Sequence, residues 1–230
     1  MRASVAVSKM PMVKPRVLIA DDHALIVEGF RSVLSSHFEI VGVVQEGHSL
    51  IAGAVNLRPD LTLLDIGMPL LNGIDAARQV LQILPSTKVV FVTQQTDRRY
   101  VQAAFRAGAS GYILKESAIA ELVPALRQVL EGRFYITPLL HRNISDTALK
   151  SSVNPSELFA DTLTVRQREV LQLVAEGKAA KEIAALLNIS LKTVEYHKAG
   201  IMEALGVRST AGLTRYAIEQ GMITPHSVDK

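Results

Sequence analysis

The sequence predicts an α/β domain built on a doubly wound five-stranded parallel sheet, followed by a small all-α domain. Three observations carry this. Between Arg16 and about Gly132, five short apolar runs alternate with stretches whose apolar residues recur at helical spacing. The runs are apolar on both faces, as parallel strands are when crossover helices cover both sides of their sheet. From Leu163 onward the spacing is helical throughout.

RVLIA opens the sheet, and ALIVEGFRSVLSSHF is the helix that follows it. EIVGVV, LTLLD, KVVFVT and GYILK are the remaining strands, and RYVQAAFRAG shows the helical spacing of the stretches between them. After LEGRFYITP the rhythm stops. Residues 137–160 mix Ser, Asn, Asp and Pro with little periodicity and read as a linker, with one short helical piece near Pro155 to Phe159. The second domain is punctuated residue by residue. Thr164 and Gln167 have capping-box spacing, Gly177 follows LQLVAE as a stop, Ser190 is placed to cap LKTVEYHKAGIMEAL, Gly206 ends it, and Ser209 is placed to cap TAGLTRYAIEQG. The domains are expected at 14–136 and 161–224, with Met10 or Met12 a candidate start of the folded chain.

A chain of 230 residues suits two modest cores. Its net charge of +3 hints only weakly at an anionic partner, because residues 14–136 carry twelve Lys and Arg against twelve Asp and Glu, and residues 160–230 carry nine against eight. Any nucleic-acid reading must rest on where particular charges sit. No apolar stretch approaches the roughly 20 residues that cross a bilayer, and MRASVAVSKMPM lacks a signal-peptide core, so a cytoplasmic protein without a membrane partner is expected. The absence of cysteine excludes disulfides, thiolate metal sites and a cysteine nucleophile.

Polar residues at the carboxyl ends of parallel strands gather in one crevice, where ligands bind. Here those ends carry Asp21 and Asp22, then Asp65, Thr93 and Lys115. Three carboxylates close together repel one another and need cations to stay ionised. Lys115 and a divalent metal supply them, and an all-oxygen ligand set suits Mg²⁺. An aspartate so placed can attack a phosphoryl group and form an acyl phosphate. Asp65 is the candidate acceptor, Asp21, Asp22 and Asp65 with the Gly67 carbonyl are the candidate metal ligands, Lys115 pairs with the phosphoryl group, and Thr93 offers it a hydroxyl. A lone Asp at a strand end is more often a turn former or a helix cap; four strand ends carrying this set in order reverse that reading. His23, opening the first helix, reads as a surface or capping residue.

IADDH, LLDIGMPLLNG, VVFVT and AGASGYILK resemble the receiver domain of two-component response regulators over about Lys14 to Thr137. The resemblance implies the flavodoxin-like strand order 2-1-3-4-5 and phosphotransfer from a sensor histidine kinase to Asp65. It also implies a switch pair, Thr93 and Tyr112, in which Thr93 is drawn to the phosphoryl group and Tyr112 turns inward. Gln94 and Glu116 depart from the commonest receiver pattern, which has a small residue and a proline there. Gly67 and Gln95 sit where receivers tune attack by water, and a side-chain-free Gly67 implies a long-lived phosphorylated state.

In SLKTVEYHKAGIMEAL, Val194, Ile201 and Leu205 share one helical face, suited to packing on Val170, Leu171, Val174, Ile183 and Leu187. Lys192, Glu195, Tyr196 and Ala199 form a stripe turned outward. The preceding helix, about Ala179 to Leu187, joins through the tight NIS turn, as a helix-turn-helix requires. Lys181, Ser190, Lys192, Thr193, His197, Lys198 and Arg208 are candidate phosphate contacts, and Glu195, Tyr196 and Ala199 face where base edges of double-stranded DNA would lie. On spacing alone, a protein-binding helical bundle is an equal reading.

The stretch from LTVRQREVLQLVAEG to LTRYAIEQG is similar to the LuxR-type four-helix DNA-binding domain, and the whole chain resembles a NarL/FixJ-type response regulator. Gly200 is the odd residue, standing where a longer one is usual. The resemblance implies a non-enzymatic regulator that dimerises on phosphorylation and reads paired half-sites, with RNA polymerase a further candidate partner. Whether phosphorylation acts by dimerisation or by freeing the recognition helix stays open. Two rival readings remain: a metal-dependent phosphohydrolase, which usually has a second acid where Gly67 stands, and a signalling scaffold whose helices bind protein.

Overall fold

A computed structural model of the protein describes residues 14–141 and 163–223. One parallel sheet contains β1 (Arg16–Ala20), β2 (Glu39–Val44), β3 (Leu61–Leu64), β4 (Lys88–Thr93), β5 (Gly111–Leu114) and β6 (Tyr135–Ile136), in the order β2-β1-β3-β4-β5-β6. Between its first five strands and after the fifth run α1 (Ala24–Leu34), α2 (Gly47–Leu57), α3 (Gly73–Ile83), α4 (Arg98–Arg106) and α5 (Ala118–Leu130). Successive strand residues feed opposite cores. Leu18, Ala20, Leu64, Phe91 and Tyr112 pack with α2, α3 and α4, while Val17, Ile19, Leu63, Val90 and Ile113 pack with α1 and α5.

The sequence reading expects five strands; the sixth is an addition. Tyr135 and Ile136 are too few to register as a period, and side chains beyond them hold the strand in place. The Thr137 hydroxyl accepts from Leu114 N at 3.0 Å and donates to Glu121 Oε2 at 2.8 Å, and the same carboxylate oxygen accepts from Tyr135 Oη. This contact, with burial, pushes the Tyr135 phenol up to about 12, burial being the larger cause. A four-residue helix, α6 (Pro138–His141), follows where the linker was expected to begin. The rest of that linker, its expected helical piece near Pro155 to Phe159, and both candidate start methionines lie outside the described residues.

The second unit comprises α7 (Val165–Ala175), α8 (Ala180–Leu186), α9 (Leu191–Leu205) and α10 (Thr210–Glu219). The expected caps form. Thr164 and Gln167 make a reciprocal capping box, Ser190 Oγ accepts from Thr193 N, Ser209 Oγ accepts from Gly212 N, and Gly206 ends α9 in the left-handed region. Such caps contribute about 1 kcal/mol each. At Gly200 an added Cβ would stand 3.2 Å from Gln167 Nε2, so the glycine lets α9 approach the start of α7.

The two units are docked through α7 and the segment after α10. His48 Nε2 lies 3.2 Å from Glu169 Oε1, Arg168 reaches the buried Asp75 at 2.6 Å, and Tyr100 Oη donates to the Ile223 carbonyl at 3.0 Å. Leu70, from the loop after β3, packs against the helical core. Its φ of 67° is left-handed, a conformation that costs a non-glycine residue about 1 to 3 kcal/mol and persists only where surroundings enforce it.

The His48–Glu169 pair makes docking depend on pH. The hydrogen bond to Glu169 raises the His48 pKa, against the opposing effect of burial. Burial pushes Glu169 up, but hydrogen bonds from His48 and Arg166 outweigh it and leave the carboxyl below its ordinary value. Glu46 and Arg166 are the other charges acting on His48. A raised imidazole contributes fully below its ordinary value of 6.5 and is lost as pH rises through the raised value. A lowered carboxyl contributes above its ordinary 4.5 and is lost as pH falls through the lowered one. Docking should therefore be tightest between those two ordinary values and loosen as pH rises through the raised His48 value, modestly because His48 is half-exposed and screened by solvent. Hydrogen exchange at the interface amides, followed from about pH 6 to about pH 8, should show faster opening at the higher pH, and His48→Gln should flatten that dependence.

Candidate acidic site and helix-turn-helix interface

Three site residues each stand one position past a strand with the backbone N–H still on the neighbouring ladder. Asp21 N bonds Val44 O, Asp65 N bonds Ala20 O, and Lys115 N bonds Thr93 O. The sheet thus sets their side chains at one edge. Carboxylate oxygens of Asp21, Asp22 and Asp65 and a ring nitrogen of His23 lie within 4.8 Å of one another. Asp21 and Asp65 are buried, and Asp22 is exposed. Lys115 Nζ sits 2.8 Å from both Asp65 Oδ2 and Asp21 Oδ2. Burial pushes the Lys115 ammonium down, but the charges and hydrogen bonds of those two acids outweigh it and hold its pKa above the ordinary value.

One ammonium does not neutralise three carboxylates. Asp21 Oδ2, although at ion-pair distance from Lys115, has no well-directed hydrogen-bond donor. A buried oxygen with lone pairs to spare, beside two more carboxylates, fits a hard divalent cation. His23, read from sequence as a surface or capping residue, is exposed at the head of α1 without making a side-chain cap, and its Nδ1 lies 3.0 Å from Asp21 Oδ1 and 2.9 Å from Asp22 Oδ1.

Around Asp65 the backbone is drawn in tightly. Ile66 N donates to Asp65 Oδ1 at 2.7 Å, and at Gly73 an added Cβ would fall 2.0 Å from the Asp65 carbonyl oxygen, so no other residue can begin α3 here. Gly67 lies beside the acid with room to spare, since its Cβ would meet only Asp65 Oδ2, at 3.7 Å. Thr93 is buried and its hydroxyl accepts from Gln95 N at 3.3 Å; Tyr112 Oη donates to Gln95 O at 2.8 Å. One backbone unit therefore joins both residues expected to switch. The Tyr112 ring already lies fully inside, and burial, with the Asp65 charge adding to it, pushes its phenol well above the ordinary value.

The loop between β3 and α3 is finished by a residue of the helical unit. Gln172 is buried, and its Oε1 accepts from Asn72 N at 2.8 Å and from Asn72 Nδ2 at 3.1 Å. Its Nε2 donates to Met68 O at 3.3 Å and to Glu176 Oε1 at 2.7 Å. Asn72 also caps α3 by accepting from Asp75 N. Sequence reasoning did not find Gln172, Glu169, Arg168, His48 or Asp75. Glu169, Gln172 and Glu176 look like a solvated stripe on α7, and nothing in the spacing reveals that the stripe faces another domain.

On the helical unit, Val194 and Ile201 are buried with Val170, Leu171, Val174, Ile183 and Leu187, while Leu205 is partly buried. Lys192, Glu195, Tyr196 and Ala199 form an exposed stripe, with Tyr196 76% accessible. Ser190, Lys181 and Arg208 are exposed around it, and Thr193, His197 and Lys198 are half-buried. The docked receiver-like unit therefore leaves this stripe uncovered.

Family models match both units: a response regulator receiver domain over residues 17–127, and the luxR family of bacterial regulatory proteins over residues 161–217. The transcriptional regulatory protein MctR of Rhizobium johnstonii is 34% identical over 213 residues, covering 92% of this chain and 96% of that protein. The oxygen regulatory protein NreC of Staphylococcus aureus is 34% identical over 216 residues, covering 90% and 99%. The RcsB response regulator of Salmonella typhimurium superposes with a TM-score of 0.57 at 26% identity, over 91% of this chain and 99% of that one. An RcsB–DNA complex aligns with a TM-score of 0.54 at 26% identity, over 90% and 98%. A parallel α/β sheet whose strand ends collect three acids and a lysine, followed by a helix-turn-helix and matched over its length by transcriptional regulators, places the chain in the family of two-component response regulators with a LuxR-type DNA-binding domain.

Proposed function

We propose that Asp65 accepts a phosphoryl group from a sensor histidine kinase and that this modification controls binding of α9 to double-stranded DNA. The observation that carries the proposal is the Lys115 ammonium shared at 2.8 Å between buried Asp65 and Asp21, in an acidic cluster where the buried Asp21 Oδ2 has no well-directed hydrogen-bond donor. An Asp65 carboxylate oxygen bonds to phosphorus as the bond from phosphorus to the donor's imidazole nitrogen breaks, and the acyl phosphate remains on Asp65. Mg²⁺, held by Asp21, Asp22, Asp65 and the Gly67 carbonyl, would neutralise charge on the transferring oxygens. Lys115 pairs with the phosphoryl group. Thr93 donates its hydroxyl to it, and the Gln95 backbone carries that displacement to Tyr112, already inside the core.

Residues 14–136 form the acceptor unit in this reading, and 161–224 the DNA-binding unit. The exposed stripe of α9 enters the major groove with Glu195, Tyr196 and Ala199 toward base edges. Lys181, Ser190, Lys192, Thr193, His197, Lys198 and Arg208 lie toward phosphates. Two copies on paired half-sites multiply a modest single-domain affinity. RcsB supports this, since it has been solved as dimers bound to DNA. RNA polymerase is the further partner of a bound regulator, and a DNA target places the protein in the cytoplasm. Among the described residues no helix is long and apolar enough to cross a membrane. The only turnover in this reading is slow loss of phosphate from Asp65 itself.

Asp65→Asn should abolish Mg²⁺-dependent labelling by a small phosphodonor, read by intact mass; a persisting label would mean a different acceptor. The label on the parent chain should decay over minutes or longer, because Gly67 offers no side chain to orient an attacking water; decay within seconds would remove that role. Lys192→Ala should weaken binding to every sequence and lower the salt slope of log affinity by about one. Competition against single-base variants checks this, and a loss confined to one base position would make Lys192 a reader instead.

A further inference from the structure

We propose that Gln172, a residue of the DNA-binding domain, is a positioning residue for phosphoryl transfer at Asp65: by tying Met68 to Asn72 it holds the acceptor loop in its docked form and slows that transfer. The inference rests on Asp65 being the acceptor. Three observations support it. The Gln172 amide is buried and bonds both ends of the stretch from Met68 to Asn72 across the domain boundary. Within that stretch, Leu70 holds a left-handed backbone while packing against the helical domain's core. Upstream there is no slack, since Ile66 N bonds Asp65 Oδ1, Gly73 N bonds Ile66 O, and Gly73 lies against the Asp65 carbonyl.

Both Asp65 oxygens already have donors, Ile66 N on Oδ1 and Lys115 Nζ on Oδ2. Here the oxygen that bonds to phosphorus is Oδ1; it becomes the bridging oxygen of the acyl phosphate with a dianionic group beside it, so the Ile66 N–H must be redirected while Lys115, on Oδ2, turns to the phosphoryl group. Ile66 begins the loop that Gln172 closes. A docked helical domain therefore opposes the loop shift, and by linkage a phosphoryl group on Asp65 opposes docking. The base-facing stripe of α9 is exposed in the docked form, so the restraint falls on the acceptor loop and not on access to that helix.

The test uses the full chain with Mg²⁺ and acetyl phosphate, from which the phosphoryl group passes to Asp65 and acetate leaves. Gln172→Met keeps the volume and removes the amide. Because the loop shift is made on the way to the transition state, the substitution should raise the initial labelling rate by about 5- to 10-fold, the lower end of typical equilibrium coupling between sites, and speed hydrogen exchange of the Asn72 amide. His48→Gln, which loosens docking from the receiver surface without touching either core, should act in the same direction less strongly, and it decides the matter if Gln172→Met does not fold. An unchanged or slower rate overturns the proposal, as does a faster rate with unaltered Asn72 exchange, because the loop would then not be what was held. Failure to label the parent chain would instead overturn the assignment of Asp65, and this inference with it.

Discussion

The structure depends on one buried electrostatic imbalance. Asp21 and Asp65 are brought out of water at adjacent strand ends, and a single ammonium, Lys115, is shared between them. Removing one partner from such a cluster leaves an uncompensated charge in a place where solvation is poor, which is costly out of proportion to the bonds lost. The cluster is tolerable because the sheet is parallel. Its strand ends all open on one side, so β1, β3, β4 and β5 deliver polar residues to the same crevice. The excess negative charge is then a binding property, since a cation relieves it.

That crevice is connected outward by backbone more than by side chains. Gln95 meets Thr93 through its N–H and Tyr112 through its carbonyl, so the end of β4 and the middle of β5 are linked by a single residue. Tyr112 in turn offers its carbonyl to Thr137 N, and Thr137 anchors β6 through Leu114 and Glu121. A displacement at Thr93 therefore reaches, within three bonded steps, the segment where the chain leaves the sheet for the second domain. With Tyr112 already inward, the moving part is better sought in the Gln95 backbone than in a swing of the ring.

Much of this was legible in the chain. Strand ends and their acids follow from period and order, and the caps at Thr164, Ser190 and Ser209 follow from spacing, because each depends on residues a few positions apart. What could not be read depends on surfaces meeting. The polar positions 169 and 172 of α7, with Glu176 at its C-cap, have the pattern of a wet face, and docking buries the first two. The two residues of β6 carry no period at all; they pair because Glu121, on a helix more than a dozen residues earlier, gathers Tyr135 and Thr137. Leu70 reads as an ordinary loop apolar residue, and neither its left-handed backbone, spanned by the Leu71 N to Pro69 O bond, nor its packing on the second domain shows in the spacing.

The strain at Leu70 indicates how the two domains are balanced. A left-handed leucine costs about 1 to 3 kcal/mol, comparable to the net worth of one or two hydrogen bonds. Among the described residues, the docking contacts include hydrogen bonds, a half-exposed imidazole pair, a buried arginine–carboxylate contact and the packing of Leu70 itself on the helical core. The backbone flanking Asp65 leads into the same loop, so that loop carries contacts of both the acidic crevice and the second domain. A tightly packed apolar interface would have been more stable and would have answered less to one phosphoryl group. The buried amide and the strained leucine lie on one loop, so the restraint proposed for Gln172 and the strain act at the same place.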